Sequence, residues 1–308
     1  MKPLLTTLQF DKTEPTRLDK FLAESLPTYS RALFQELIAS GKVTVDGGVC
    51  LKTAYKLTPG QSISVELPEE QEQGIPAENL PLDIIYQDAN TIVINKPAGL
   101  IVHPGAGHPT GTLVNAALFR WPELREVGEA QRPGVVHRLD KETSGVLVLA
   151  RNQSAYDWLV RQFKSRKTEK YYLALVDGQP PTPSGRIEAA VGRDPKFRQR
   201  MAIVYEGKGR KAVSEYHTVQ SFHDHTLLEV HPLTGRTHQI RVHLAYLGCP
   251  VVGDRVYGRR KSSLALGRFF LHAAKLRIIL PGEKNATEFL AVLPDDLKSV
   301  LDNLSSQE

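Results

Sequence analysis

Cysteine is scarce. Only Cys50 and Cys249 occur in 308 residues, which excludes a disulfide framework, and their separation leaves no C-x-x-C site. Long apolar runs are missing as well: no stretch reaches the ~18 residues of a membrane span. The N-terminal MKPLLTTLQFDKTEPTR has no apolar core and meets Asp11 and Glu14 early, unlike a secretory signal. A soluble, cytoplasmic, monomeric protein is expected. The sequons at Asn152 and Asn285 are then accidents of composition. No G-x-x-x-x-G-K-[ST] phosphate loop occurs, and GAGHPTG misses the dinucleotide spacing by one residue. A G-x-S-x-G elbow is absent too. The histidines make no metal set: His238 and His243 stand five apart, ~140° around a helix, and His223, His225 and His231 lack the i, i+4 pairing of zinc helices. No metal and no cofactor are expected.

What is present is a chain with 41% hydrophobic residues, long enough for a large domain plus a small one. Its formal net charge is +5, compatible with nucleic-acid binding but shared by many ordinary enzymes. Residues 1–15 read as an N-terminal extension. Residues 16–68 read as a small unit. Leu18, Phe21, Leu22 and Leu26 recur at helical spacing, and a second helix runs from the N-cap Ser30 to the C-cap Gly41. KVTVDGGVCLK then reads as a hairpin, and SISVEL as a closing strand. Arg17, Lys20, Arg31 and Lys42 are spread through this unit, either as a solvated surface or as an RNA-binding patch. The polar, Pro-bounded residues 69–80 read as a linker.

Residues 81–298 read as the main domain, with a tail at 299–308 that ends in a helix. LDIIYQD and TIVINKP are strands around a tight turn, and GVLVLAR is a buried strand. KYYLALVDG, GRIEAAVGR, AVSEYHTVQSF, TLLEVHP, AKLRIILP and TEFLAVLP are further strands. Helices are expected at TLVNAALFRW, QSAYDWLVRQFKSRK and THQIRVHLAYLG. Many strands and few helices, out of strict alternation, predict an α+β fold around a mixed, mainly antiparallel sheet.

One stretch concentrates chemistry. GVVHRLDKETSG, residues 134–145, sets Asp140 among Arg138 and Lys141 just before a buried strand, and loop residues at strand ends often carry function. A lone Asp there could equally cap a turn or pair with Arg138. Elsewhere, TGRTHQIRVH supplies Arg236 and Arg241, KSRKTEKYY supplies Lys170 beside Tyr171 and Tyr172, and INKPAGLIVHPG supplies Lys96 in a Pro/Gly loop. Cations interleaved with aromatic rings suit a single-stranded or extruded base: charge for phosphate, a ring for stacking.

These stretches carry a resemblance. HRLDKETSG is similar to the catalytic motif of the RluA family of pseudouridine synthases, NKPAGLIVHPG to its first motif, and TGRTHQIRVHL with GCPVVGDRVYG to its later ones. The N-terminal unit resembles an S4 RNA-binding domain. The likeness runs from about Thr16 to Leu293. It implies the pseudouridine synthase fold with Asp140 as the catalytic aspartate, Tyr172 stacked on the target base and Arg241 paired with Asp140. It also implies that Arg138 fills the gap left by a flipped base. Lys96, Lys170 and Arg236, with Arg17, Lys20, Arg31 and Lys42 of the S4-like unit, are expected on the RNA. An S4 unit ahead of this domain resembles the D-type branch, which implies large-subunit (23S) ribosomal RNA as partner.

The expected reaction breaks the N1–C1′ bond of a flipped-out uridine, turns the base and rebonds it through C5, with no redox step. Cations around a carboxylate favour its charged form, which suits a nucleophile rather than a general acid. Three alternatives stay open: a pseudouridine synthase acting on transfer RNA, a non-catalytic RNA-binding ribosome-assembly factor, and a base-releasing hydrolase pairing Asp140 with Glu142.

Overall fold

The computed structural model describes residues 4–27, 29–67, 74–105, 107–197, 200–205 and 207–306. The chain divides into two units, 1–74 and 75–308. In the first, β1 (Leu4–Gln9), β2 (Thr16–Arg17), α1 (Leu18–Ser25), α2 (Arg31–Ala39), β3 (Val43–Val45), β4 (Gly48–Val49), β5 (Lys56–Leu57) and β6 (Ser62–Leu67) follow one another. The Ser30 hydroxyl accepts from the Leu33 amide and starts α2, as an N-cap does. Asp46 and Gly47, both at positive φ, form the two-residue hairpin turn between β3 and β4. Phe10, Leu18, Leu22, Phe34, Ile38 and Ile63 fill the small core. The expected extension at 1–15 instead supplies β1, which pairs along all of β6.

The second unit contains β7 (Ile84–Gln87), β8 (Thr91–Lys96), α3 (Leu113–Arg120), β9 (Ser144–Ala150), α4 (Gln153–Ser165), β10 (Glu169–Asp177), β11 (Ser184–Glu188), β12 (Val191–Arg193), β13 (Met201–Ile203), β14 (Val213–Ser221), β15 (His225–Pro232), α5 (Gln239–Tyr246), β16 (Leu271–Ile279), β17 (Ala286–Leu290) and α6 (Asp295–Ser305). Its main sheet runs β11-β14-β15-β10-β16-β9-β8-β7, with β17 also on β16. Among the described residues, all strand pairings of this sheet are antiparallel except β9 with β16. The fold is therefore α+β around a mixed, mainly antiparallel sheet.

Three further sequence expectations change. GRIEAAVGR is two strands, because the chain leaves the sheet at Ala189 and β12 pairs with β13 in a separate ribbon. The expected linker at 69–80 lies partly outside the described residues. The rest is tied down: the Asn115 side chain donates to the Pro76 carbonyl and Arg125 donates to the Ile75 carbonyl. The tail at 299–308 is no appendage, since α6 begins at Asp295 and buries Leu297 and Leu304 against Leu175 and Phe270.

The one parallel pairing positions everything that follows. Gly145 opposes Ala273 at φ +115, and a Cβ there would meet the Ala273 carbonyl oxygen at 2.2 Å. Only glycine allows β9 and β16 this close. Ala273 opposes Tyr172 on its other side, Tyr172 opposes Val230, and Gly145 opposes Lys96. A single row of the sheet thus runs Lys96–Gly145–Ala273–Tyr172–Val230.

Candidate active site

Asp140 sits five residues before Gly145, on the loop entering β9. The loop is fastened beneath. The Lys141 carbonyl accepts from the Gly99 amide (2.9 Å) and from Lys96 Nζ (3.0 Å). Lys96 Nζ also donates to the carbonyls of Pro97 (2.7 Å) and Leu100 (2.9 Å). All three ammonium protons are used, and the side chain is fully buried. Burial pulls Lys96 down to about 7, against the carboxylates of Glu142 and Asp140. Its expected place on RNA is therefore a correction: an ammonium enclosed by carbonyls has no proton or surface left for a phosphate. It welds two loops together instead.

His137 fixes the loop from the other side. Its ring stacks on Phe163 at 4.6 Å and its Nε2 accepts from the Val148 amide. Burial pushes this imidazole down to about 3, so it stays neutral and keeps accepting. Arg138, next in the chain, is exposed.

Arg241 comes from the buried face of α5 and meets Asp140 at 3.2 Å. Its firmer partner is Asp254, bonded twice, at 2.7 Å through Nε and 3.0 Å through Nη2. Asp254 accepts in turn from the amides of Val256 and Tyr257. The guanidinium lies between the rings of Phe269 (4.3 Å) and Tyr257 (5.0 Å), a planar cation held by planar neighbours. Burial opposes the charge on Arg241, yet Asp254 and Asp140 hold it above its ordinary value. Burial likewise opposes the Asp254 carboxylate, and Arg241 with the two amides keeps it below its ordinary range. The result is a buried relay in which Asp254 sets the Arg241 fork and one remaining Nη reaches Asp140.

Two members of this cluster were not legible as site residues. Asp254 stands in GCPVVGDRVYG without a periodic context to single it out. His238 drew notice only as a metal candidate. It takes a left-handed φ of 55°, a costly conformation for a side chain with a Cβ. Its Nε2 stands 3.9 Å from Asp140, and its Nδ1 meets the Tyr257 hydroxyl at 2.8 Å. Burial draws this imidazole down, with Asp140 opposing. His243, within α5, turns away to Ser214 and the Ala189 carbonyl.

Tyr172 lines the same cleft as Asp140 and packs against the core on both sides. Burial and the nearby Asp140 charge push its hydroxyl well above the usual value. A bulge separates it from Tyr171, which faces elsewhere and stacks on His231. The cleft measures about 760 Å³, within the ~300–1,000 Å³ of ligand sites. Arg138, Lys170 and Arg236 line it as well, so six of the sequence-derived residues meet here. Burial takes Lys170 down to about 8. Arg236 is lowered by burial and by the like charges of Arg210 and Arg166. Lys170 and Arg236 pair with no carboxylate among the described residues, and such unneutralised cations suit a polyanion.

Arg17, Lys20, Arg31 and Lys42 belong to the first unit. Arg17 and Arg31 both fork onto the fully buried Asp19, which also accepts from Gln35. Arg31 and Gln35 lie one turn apart on α2, the spacing that brings side chains to one face. Lys20 pairs with Glu24 at 3.6 Å, and Lys42 is exposed.

Comparison with known proteins identifies the family. Residues 90–246 match the family model described as RNA pseudouridylate synthase, and residues 16–63 match the S4 domain. An RNA pseudouridine synthase of Chloroflexus aurantiacus is 50% identical over 291 residues, 94% of this chain and 90% of that one. The ribosomal large subunit pseudouridine synthase D of Vibrio vulnificus is 39% identical over 312 residues, 97% and 94% of the two chains. The structure of human RNA pseudouridylate synthase domain containing 4 superposes with a TM-score of 0.59 at 29% identity, covering 72% of this chain and 93% of that chain.

Proposed function

The chain belongs to the RNA pseudouridylate synthase family and is an isomerase of RNA uridines, and we propose that Asp140 carries the reaction on uridines of large-subunit ribosomal RNA in the cytoplasm. The observation that supports this reading most is the cleft itself. The Asp140 carboxylate, paired with Arg241, lines one cleft with the Tyr172 ring, and Arg138, Lys170 and Arg236 line it too.

A uridine stacked in RNA hides its glycosidic bond, so it must be extruded, which costs a few kcal/mol. Arg138, exposed beside Asp140, offsets this by stacking in the vacated place. Tyr172 offers its face to the extruded base. The N1–C1′ bond then breaks, the base turns, and C5 bonds to C1′. C5 loses a proton and N1 gains one, so atoms and electrons balance within the substrate. A carboxylate can add to the sugar, add to the base, or remove a sugar proton, and in each case its ionised form reacts. Arg241, clamped by Asp254, gives that form a fixed cationic partner and a fixed direction.

The substrate is proposed from the relatives named large-subunit synthase D, which share both domains along nearly their full length. The first unit contributes RNA affinity through the half-exposed Arg17 and Arg31 and through Lys20 and Lys42. Mapping pseudouridines in total RNA from cells with and without the protein tests the assignment. Sites lost from large-subunit ribosomal RNA are expected; losses confined to transfer RNA would refute it.

A further inference from the structure

Asp140 stands on a ridge between two clefts. The larger, described above, contains Tyr172. The second measures about 470 Å³ and shares Arg138, Leu139, Asp140, His238 and Arg241 with the first. His103 and Arg255 line only the second. The proposed reaction engages its ridge and leaves its far wall unused.

That wall has the chemistry of a nucleotide site. Arg255 and Arg138 are exposed, and neither meets a carboxylate among the described residues. His103 has a buried Nδ1 without a hydrogen-bond partner, and such groups are rare unless a ligand or water completes them. Burial and the charges of Arg138 and Arg132 lower its pKa, so the ring is neutral and free to stack or to bond a base edge. Ile101, Val102, Val256 and Phe269 give apolar surface beside it. Free cations for phosphate, a flat neutral ring and an apolar floor are what one nucleotide requires.

Connectivity supplies the occupant. A uridine drawn into the Tyr172 cleft remains bonded through phosphates to both neighbours. The two clefts meet at Asp140, and Arg138 lines both, so the ridge offers the strand a short way from one to the other. We propose that this cleft binds the nucleotide adjoining the target uridine, its base against His103 and its phosphate between Arg138 and Arg255. Sequence preference next to the target would then arise at His103. The inference rests on the assignment of the Tyr172 cleft to the target base.

The test uses the full-length protein and a short RNA carrying a uridine identified by the mapping experiment. Single-turnover kcat/KM is measured on the parent RNA and on two versions with an abasic residue 5′ or 3′ of the target. One abasic version is expected to lose about tenfold with the wild-type protein, the scale of one stacked base. His103→Ala should lose about tenfold on the parent RNA and less than about twofold on that abasic version, since both remove the same stacking contact. Arg255→Ala, altered at an exposed side chain, should raise KM and lower the salt slope of binding by about one. It carries the test should His103→Ala not fold. Equal His103→Ala losses on all three RNAs, or full wild-type rates on both abasic versions, would sink the second subsite while leaving the catalytic assignment standing. A wild-type protein that converts no uridine in any of these RNAs would remove both.

Discussion

The two units use the same pair of chemical groups in opposite senses. In the first, the carboxylate is buried: the Asp19 side chain is 0% exposed, while Arg17 and Arg31 are 45% and 48% exposed. The anion is the anchor and two guanidiniums face outward. In the second unit the guanidinium is buried, with Arg241 at 6% and Asp254 at 0%, and Asp140 is offered at 20%. There the cation is the anchor and a carboxylate faces outward. A phosphate-binding surface needs oriented positive charge, and a reaction at an extruded base needs one oriented negative charge. Each arrangement hides the opposite sign to fix the sign it presents, because a desolvated partner holds its neighbour far more firmly than a solvated one.

The contrast is broken most severely at Asp254. Asp254→Ala strands the buried Arg241 and is expected to cost about 3–5 kcal/mol of stability in denaturant unfolding. By releasing Asp140 from its fixed direction, it should also lower kcat on the order of 10²-fold. A stable, fully active Asp254→Ala protein would show that Arg241 needs no anchor.

Asp19→Ala is the matching change in the first unit and should cost less, about 1–3 kcal/mol, because the half-exposed arginines regain water. Although it raises the net positive charge by one, it should weaken RNA binding in a filter or anisotropy assay, since the two guanidiniums lose their orientation. Tighter binding would mean that charge alone matters there. Its pH dependence has a definite sign. Burial raises the Asp19 pKa, but Arg17, Gln35 and Arg31 outweigh it and hold the folded value far below the ordinary 3.8. The stability it contributes is therefore complete above about pH 4 and is lost as the pH falls toward the folded value.

The smallest effect belongs to Lys170, at the cleft wall. Burial alone takes it to about 8, so it is charged at pH 7 and increasingly neutral by pH 9. RNA affinity should fall a few-fold over that interval, with the salt slope reduced by about one phosphate contact. Lys170→Arg should abolish the pH step while keeping the affinity. A step that persists in Lys170→Arg would assign it to another group.

Much of this was legible in the sequence because it is local. The alternation of SISVEL, the Asp-Gly turn and the Ser30 cap each need only a few neighbouring residues. The pairing of Asp140 with Arg241, 101 residues apart, came from motif resemblance, since no periodicity links such positions. Lys96 was misplaced because a lysine in a Pro/Gly loop reads as surface. The three carbonyls that enclose it belong to two loops that only the sheet brings together. Asp19, a carboxylate in the first turn of α1 between Arg17 and Lys20, is the local sign that these cations are partly neutralised. Leu297, Val300, Leu301 and Leu304 repeat at helical spacing, the pattern that joins the last helix to the core.

The account turns on Asp140, and one measurement addresses it directly. Wild-type protein and Asp140→Asn, a nearly isosteric change that removes only the charge, are incubated with large-subunit ribosomal RNA transcribed without modification. Pseudouridine and bound RNA are then quantified together. The account predicts that both proteins bind equally, that the wild type forms pseudouridine, and that the variant is slowed on the order of 10⁴-fold, as loss of a reacting group entails. Pseudouridine formed by Asp140→Asn at the wild-type rate would contradict it.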